Sequence, residues 1–127
     1  MDVKLCDFGD SQIILDDENA LNNKIVSKAY RSPELFLGNK HFTQKIDIWG
    51  LGCVIIEFFL QRPLFNSNNS KDILENIIRT VSEIGTNDLE FIEDLNAISY
   101  IESIPRDDHG ELAPLLSGKF ASKEGRI

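Results

Sequence analysis

The sequence predicts a mainly α-helical domain built around a buried central helix, and three observations support this. The run Ile46–Leu60 is apolar on every side, with Asp47 and Glu57 as its only charged residues. A helix without a polar face belongs in a core, and this run is shorter than a membrane span. A second run from Ser70 keeps apolar residues at helical spacing. A length of 127 residues with 42% hydrophobic content suits one domain with a core.

Local signals define the first elements in chain order. Val3–Cys6 alternates apolar and polar residues, which predicts a short N-terminal β-strand. Ser32 and Pro33 are typical of an N-cap and a first helical position, and Gly38 then closes a short helix. Thr43 is placed to cap the apolar helix.

The later elements are predicted to be helical as well. Ser70 is expected to cap an amphipathic helix that ends with Gly85 at its C′ position. Leu89–Ile104 predicts one or two further helices, ended by Pro105. The signal is weak from Leu112 onward.

Composition narrows the classes of function. A formal net charge of -8 argues against binding to nucleic acid or to an anionic membrane surface. Cys6 and Cys53 lack the spacing of a metal site or a disulfide framework, and the N-terminus does not resemble a signal peptide. We therefore expect a reducing compartment, the cytoplasm or the nucleus. His41 and His109 have no partners at metal or triad spacing and are expected at the surface.

Three motifs in one order resemble the protein kinase family. Asp7–Gly9, read as D-F-G after the predicted strand, resembles the DFG element of kinases. Tyr30–Glu34 resembles their APE motif in its Y-R-x-P-E form. Asp47–Cys53 resembles the D-x-W-S-x-G-C run that opens the large buried helix of the kinase C-lobe. The resemblance implies a partial kinase C-lobe over residues 1–127, with a short strand, an activation loop and then helices.

The group within the family follows from smaller signatures. Tyr30–Arg31 and Asp72–Leu74 are similar to the CMGC kinases, which include cyclin-dependent, mitogen-activated and glycogen synthase kinases. Lys4–Gly9 is most similar to the glycogen synthase kinase branch. Phe42–Trp49 and Tyr100–Pro105 are more similar to mitogen-activated protein kinases, which the resemblance favours.

The resemblance assigns magnesium binding to Asp7. A carboxylate after a strand suits a metal that neutralises phosphate charge, although by itself Asp7 would be read as an acidic turn residue. Phe8 is then the hydrophobic switch of the motif, and Gly9 lets the backbone approach closely. Asp10 departs from the family pattern. It either tunes the metal site or substrate preference, or marks a lapsed enzyme.

The resemblance makes the polar stretch before Glu34 an activation segment. The residues that would line the substrate groove are Ser27, Lys28, Arg31, Ser32, Pro33 and Glu34. Ser27 matches the hydroxyl residue beside the catalytic Asp. Lys28 replaces an arginine and cannot form the same two-pronged contact. Glu34 normally pairs with an arginine near the domain end, a position that an ungapped comparison places beyond Arg126.

The activation segment lacks the phosphorylation sites of its relatives. Asn22–Lys24 stands where mitogen-activated protein kinases carry Thr-x-Tyr. Without those hydroxyls, ordering by new arginine–phosphate pairs is not available, so we expect activation to be independent of phosphorylation there. The acids Asp16–Glu18 are either a solvated run or a partial phosphate mimic.

Structural support of the active site is expected from the apolar helix. Asp47 lies at its N-terminal end, where the helix dipole favours a negative charge. In kinases this residue accepts hydrogen bonds from the backbone of the catalytic loop. Trp49 and Gly52 match the family run in the same helix.

The resemblance implies a Ser/Thr kinase that uses ATP and Mg²⁺ on protein substrates and has regulatory protein partners. Its N-lobe signatures and H-R-D catalytic loop are absent from this sequence, so no catalytic base is present. The chain alone is therefore predicted to be inactive. Two accounts remain open, a fragment of an active kinase and a non-catalytic kinase-like interaction module.

Overall fold

The computed structural model describes residues 2–11, 27–38, 43–81, 89, 92, 94–105 and 112–124, with side chains to residue 118. A short 3₁₀ helix at Lys28–Tyr30 is followed by α1 (Pro33–Phe36), α2 (Lys45–Leu60), α3 (Ser70–Val81), α4 (Leu95–Ser103) and α5 (Leu112–Glu124). The mainly α prediction is confirmed. No helix in these ranges combines the length and apolarity that a membrane crossing requires.

The N-terminal segment does not form the strand predicted at Val3–Cys6. Residues 2–11 are exposed and contain no strand. Within them the Ser11 N–H donates to the Phe8 carbonyl at 3.1 Å, which closes a turn. A β-strand needs a neighbouring strand to satisfy its backbone groups, and the described residues supply none. The alternation of apolar and polar residues was therefore insufficient to predict a strand here.

Helix α1 begins as predicted. Ser32 occupies the N-cap with extended backbone, and Pro33 is the first helical residue. The Ser32 side chain makes no capping bond, so the proline and the backbone define this start. Gly38 follows with φ of 72°, a left-handed conformation that glycine adopts without steric cost.

Helix α2 is delimited by short-range hydrogen bonds. Thr43 Oγ1 accepts from the Lys45 N–H at 3.3 Å, although Gln44 holds the N-cap position. At the other end Gln61 has φ of 59°, and its N–H donates to the Glu57 carbonyl at 2.7 Å. The left-handed residue ends the ladder.

Helix α3 is capped by Asn69 rather than by the predicted Ser70, which is its first helical residue. Asn69 Oδ1 accepts from the Lys71 N–H at 3.1 Å, and its Nδ2 donates to Asp72 Oδ1 at 2.9 Å. The Asn69 amide therefore caps the helix through its oxygen and binds Asp72 through its nitrogen. The expected cap Gly85 lies outside the described residues.

The last two helices differ from their predictions in extent. Helix α4 is shorter than the predicted Leu89–Ile104, and its N-cap Asp94 accepts from the Asn96 N–H at 2.9 Å. Helix α5 forms despite the weak signal after Leu112 and lies against α2.

The core is centred on α3. One cluster comprises Leu74, Ile78, Leu89, Ile92, Ile101 and Ile104. The other comprises Cys53, Phe65, Ile73 and Ile77. Both clusters therefore include residues of α3, and it is this helix that joins them.

The predicted burial of α2 holds for one side only. Its buried residues are Cys53 and Leu60. Its exposed large apolar residues are Ile48, Leu51, Val54, Ile55, Phe58 and Phe59. In the described part of the chain, α2 lies against the 3₁₀ helix, α5 and, through the Cys53 cluster, α3, and this stripe remains open to solvent.

Candidate functional site

The Tyr30–Glu34 motif is anchored to α2. The Tyr30 hydroxyl donates to Glu57 Oε2 at 2.7 Å, a contact between residues 27 positions apart. The Tyr30 carbonyl lies 3.8 Å from where a Cβ on Gly50 would stand, so the backbone of the segment runs directly beside the helix. The side chain of Tyr30 also packs against the cluster around Cys53.

The surroundings of Tyr30 keep its hydroxyl protonated, so that it can donate to Glu57. The hydrogen bond to Glu57 raises the pKa of Tyr30, and burial and the negative charge of Glu57 act in the same direction. Burial raises the pKa of the Cys53 thiol. The site therefore holds a protonated phenol and a protonated thiol near neutral pH, and Cys53 acts as a packing residue rather than a nucleophile.

The two cations of the segment have different contacts. Lys28 Nζ donates to the Asn68 carbonyl at 2.9 Å, across the gap to the loop between α2 and α3. The Arg31 guanidinium lies over the Phe36 ring, 5.5 Å from its centroid, which is a cation–π distance. Ser27 is exposed, and its carbonyl accepts from the Tyr30 N–H at 3.1 Å.

The floor of the site is aromatic. Trp49 stacks on Phe65 with ring centroids 6.2 Å apart and planes within 8°. Trp49 Nε1 and Ser32 Oγ are buried, and neither has a hydrogen-bond partner in the described ranges. Leaving a buried donor unpaired costs about 1–3 kcal/mol, so this floor is held by packing against that cost.

The Asp7–Gly9 element is exposed. Asp7 adopts a left-handed conformation with φ of 63°, which aspartate tolerates better than most residues. The ring of Phe8 is 68% exposed, so its predicted packing as a switch is not formed here. Asp10 is exposed too.

The fit of magnesium to these residues is partial. Magnesium in phosphate-binding sites is usually held by one or two carboxylates together with phosphates and water. Asp7 supplies one such carboxylate. The described residues contain no group of three or more metal-binding side chains. They therefore do not complete a metal site.

Comparison with known families shows which family this chain belongs to. The model of the protein kinase domain family matches residues 1–117. The chain belongs to the protein kinase family. It is 40% identical over 103 residues to "Protein kinase gsk31" of Schizosaccharomyces pombe, covering 81% of this chain and 26% of that protein. It is 33% identical over 120 residues to "Mitogen-activated protein kinase mpk-1" of Caenorhabditis elegans, covering 92% of this chain and 27% of that protein.

Both branches suggested by the sequence are thus present among the relatives, and the prediction of a CMGC-type kinase is confirmed. The kinase match includes all three motifs, since each lies within residues 1–117. The chain spans about a quarter of the length of these curated relatives.

The remaining kinase residues lie as follows. Asp47 is exposed in the first turn of α2. A Cβ on Gly52 would have no neighbouring atom within 4 Å, so this side of the helix is open. Glu34 is half-buried, which lowers the cost that full burial would impose. Arg126 lies outside the described residues, as do Asn22–Lys24, Asp16–Glu18, His41 and His109.

Two residues of the site were missed by sequence reasoning. Glu57 accepts the tyrosine hydroxyl, and Asn68 supplies the carbonyl for the lysine. Glu57 carried a usable signal, because a carboxylate within an apolar helix needs a polar partner when it is half-buried. Asn68 carried none, because a backbone carbonyl is the same in every residue.

Proposed function

We propose that this chain is part of a Ser/Thr protein kinase that transfers a phosphoryl group from ATP to hydroxyl groups of protein substrates. The observation that supports it most is the contact between Tyr30 and Glu57 at 2.7 Å. It fixes the Y-R-S-P-E segment on α2, and phosphoryl transfer depends mainly on positioning and on neutralising phosphate charge.

Each site residue has a role under this proposal. Ser27 stands beside the reacting hydroxyl of the substrate, and Arg31 to Glu34 shape the substrate groove. In the complete kinase Asp7 would contribute a carboxylate to hold magnesium, and the ion would neutralise phosphate charge. Asp47 supports the catalytic loop. The complete kinase supplies the catalytic Asp and the ATP pocket, for which this sequence has no H-R-D run.

A non-catalytic kinase-like interaction module is the second candidate. Three departures from the family pattern favour it, namely Asp10 after the D-F-G element, Lys28 in place of arginine, and Asn22–Lys24 in place of the phosphorylation sites. Lys28 presents a compact charge that donates to one carbonyl, where an arginine could bind two oxygens of a phosphate.

The decisive experiment uses the complete protein that contains this chain. It is incubated with γ-labelled ATP, Mg²⁺ and a library of Ser/Thr peptides. We expect label on peptide hydroxyls and a loss of roughly 100-fold or more in kcat for Asp7→Asn, since removing a group that stabilises transition-state charge has effects of that size. Asp2→Asn, an exposed carboxylate on the same segment, is the matched control and should retain activity.

The opposite outcome is equally readable. A folded complete protein that transfers no label supports the non-catalytic module. Activity that is unchanged in Asp7→Asn instead contradicts the role proposed for Asp7. We also propose a cytoplasmic or nuclear location and regulatory protein partners. The free thiols of Cys6 and Cys53 and the net charge of -8 support this placement. Imaging of a fluorescent fusion tests the location.

A further inference from the structure

The loop of residues 66–69 between α2 and α3, here called the linker, is internally cross-linked by hydrogen bonds. Ser67 Oγ accepts from the Asn69 N–H at 3.1 Å and donates to Asp72 Oδ2 at 3.2 Å. Asn69 Nδ2 donates to Asp72 Oδ1 at 2.9 Å. Asp72 therefore uses both carboxylate oxygens to hold the linker from the first turn of α3, and bonds to an ionised acceptor are the stronger kind.

The carbonyl of Asn68 lies between the two held residues of this linker. It accepts from Lys28 Nζ at 2.9 Å, over a separation of 40 positions. Because its neighbours Ser67 and Asn69 are both bonded, the carbonyl is oriented independently of the lysine. A pre-oriented acceptor reduces the ordering cost of a flexible lysine side chain.

Lys28 is joined in turn to the residues that face the substrate groove. It begins the 3₁₀ helix, whose first bond runs from the Tyr30 N–H to the Ser27 carbonyl at 3.1 Å. The Arg31 N–H donates to the carbonyl of Lys28 at 3.4 Å. The Lys28–Asn68 hydrogen bond, here called the lysine tie, and the Tyr30–Glu57 contact thus hold this turn from two directions.

We propose that the linker is a positioning element of the substrate groove, and that Lys28 is the positioning residue through which it orders Ser27. This inference rests on the proposed kinase function for its effect on substrate. Under this proposal the backbone carbonyl of Asn68 is the acceptor for Lys28. It takes the place of the phosphate group that binds a cation of a phosphorylated activation segment.

The kinetic test uses the complete kinase and a peptide substrate. Lys28→Met removes the donor and should raise the KM for the peptide about 3- to 10-fold, the factor that one net hydrogen bond represents. The kcat and the KM for ATP should stay near wild type. Lys28→Arg keeps a donor and should restore the peptide KM.

The linker side is tested by Asp72→Ala, which releases Ser67 and Asn69 together. It should raise the peptide KM as Lys28→Met does, and the double variant should be no worse than the worse single variant, because both break one coupling. The matched control is Lys71→Met. Like Lys28→Met, it removes one positive charge, here from the start of α3. The Lys71 ammonium lies over the Tyr100 ring, 5.0 Å from its centroid.

A readout independent of catalysis is amide hydrogen exchange at Tyr30 and Arg31 in the complete protein. Exchange should accelerate in Lys28→Met and Asp72→Ala, and stay unchanged in Lys71→Met. Wild-type exchange and KM in Lys28→Met, or additive effects in the double variant, overturn the proposed tie. Accelerated exchange in a protein that transfers no phosphoryl group instead overturns the proposed kinase function and leaves the tie standing.

Discussion

Helices α2 and α3 are both rich in large apolar residues, yet the chain covers them very differently. On α3, Ile73 and Ile77 are 1% and 2% exposed. On α2, Ile48 and Phe58 are 68% and 71% exposed. An amphipathic helix needs neighbours on one side, which this chain provides, whereas a helix that is apolar all round needs them on every side. The exposed stripe of α2 is thus the surface for which the described residues offer no cover.

The two helices resemble each other in their polar anchors. On α2, Glu57 accepts from the Tyr30 hydroxyl, and on α3, Glu75 accepts from the Tyr100 hydroxyl. Each bond joins a half-buried carboxylate to a tyrosine of another segment. A helix whose apolar cover is incomplete can therefore still hold its functional neighbour in place through a directional contact.

The largest expected difference between the helices is in stability. Ile77→Ala should lower the free energy of unfolding by about 2–5 kcal/mol, because it removes a buried side chain and leaves a cavity. Ile55→Ala, the same change on the exposed stripe of α2, should cost under about 1 kcal/mol. Urea unfolding of the 127-residue chain followed by circular dichroism measures both, and equal losses would contradict the comparison.

The exposed stripe of α2 should also cause self-association. Burying a side chain such as Phe58 or Leu51 contributes about 1.5–3 kcal/mol, so contiguous exposed residues favour contacts between chains. We expect the chain to associate in sedimentation velocity runs, and Leu51→Gln combined with Phe58→Gln to shift association to about tenfold higher concentration or more. A wild-type chain that stays monomeric and melts cooperatively would show this inference to be wrong.

The polar anchor of α3 gives a smaller, pH-dependent effect. Burial, followed by the hydrogen bond to Glu75, raises the pKa of Tyr100 to about 12 from an ordinary value of 10.0. Above pH 10 the unfolded chain releases this proton while the folded chain keeps it. Stability therefore falls as pH rises from 10 towards 12.

Tyr100→Phe isolates this contribution. It should cost about 1 kcal/mol near neutral pH through the lost hydrogen bond, and it should flatten the alkaline decline in urea stability between pH 10 and 12. Tyr30→Phe should flatten it too, since the Tyr30 pKa is also raised. An unchanged alkaline slope in both variants would argue against these anchors.

The smallest expected effect concerns ligands. Because Asp7 is exposed and belongs to no group of three or more metal-binding side chains in the described ranges, Mg²⁺ and ATP should not raise the melting temperature of this chain. Differential scanning fluorimetry with magnesium alone is the control. A clear additional rise with ATP would show that the chain holds a nucleotide site by itself.

The sequence by itself determined helices α1 to α3 and the family. Apolar spacing located α2 and α3, and proline at the first position located α1. The three motifs indicated a kinase, and smaller signatures indicated its CMGC type. These are properties of neighbouring residues along the chain, so local patterns carry them.

Tertiary structure decided which partners each group found. The alternating Val3–Cys6 formed no strand, because a strand depends on a partner that local alternation does not provide. Tyr30 found Glu57 across 27 positions, and Lys28 found the Asn68 carbonyl across 40. The burial of α2 was also decided by tertiary structure. Its apolar pattern predicts that the helix requires neighbours, but only packing determines which neighbours the chain supplies.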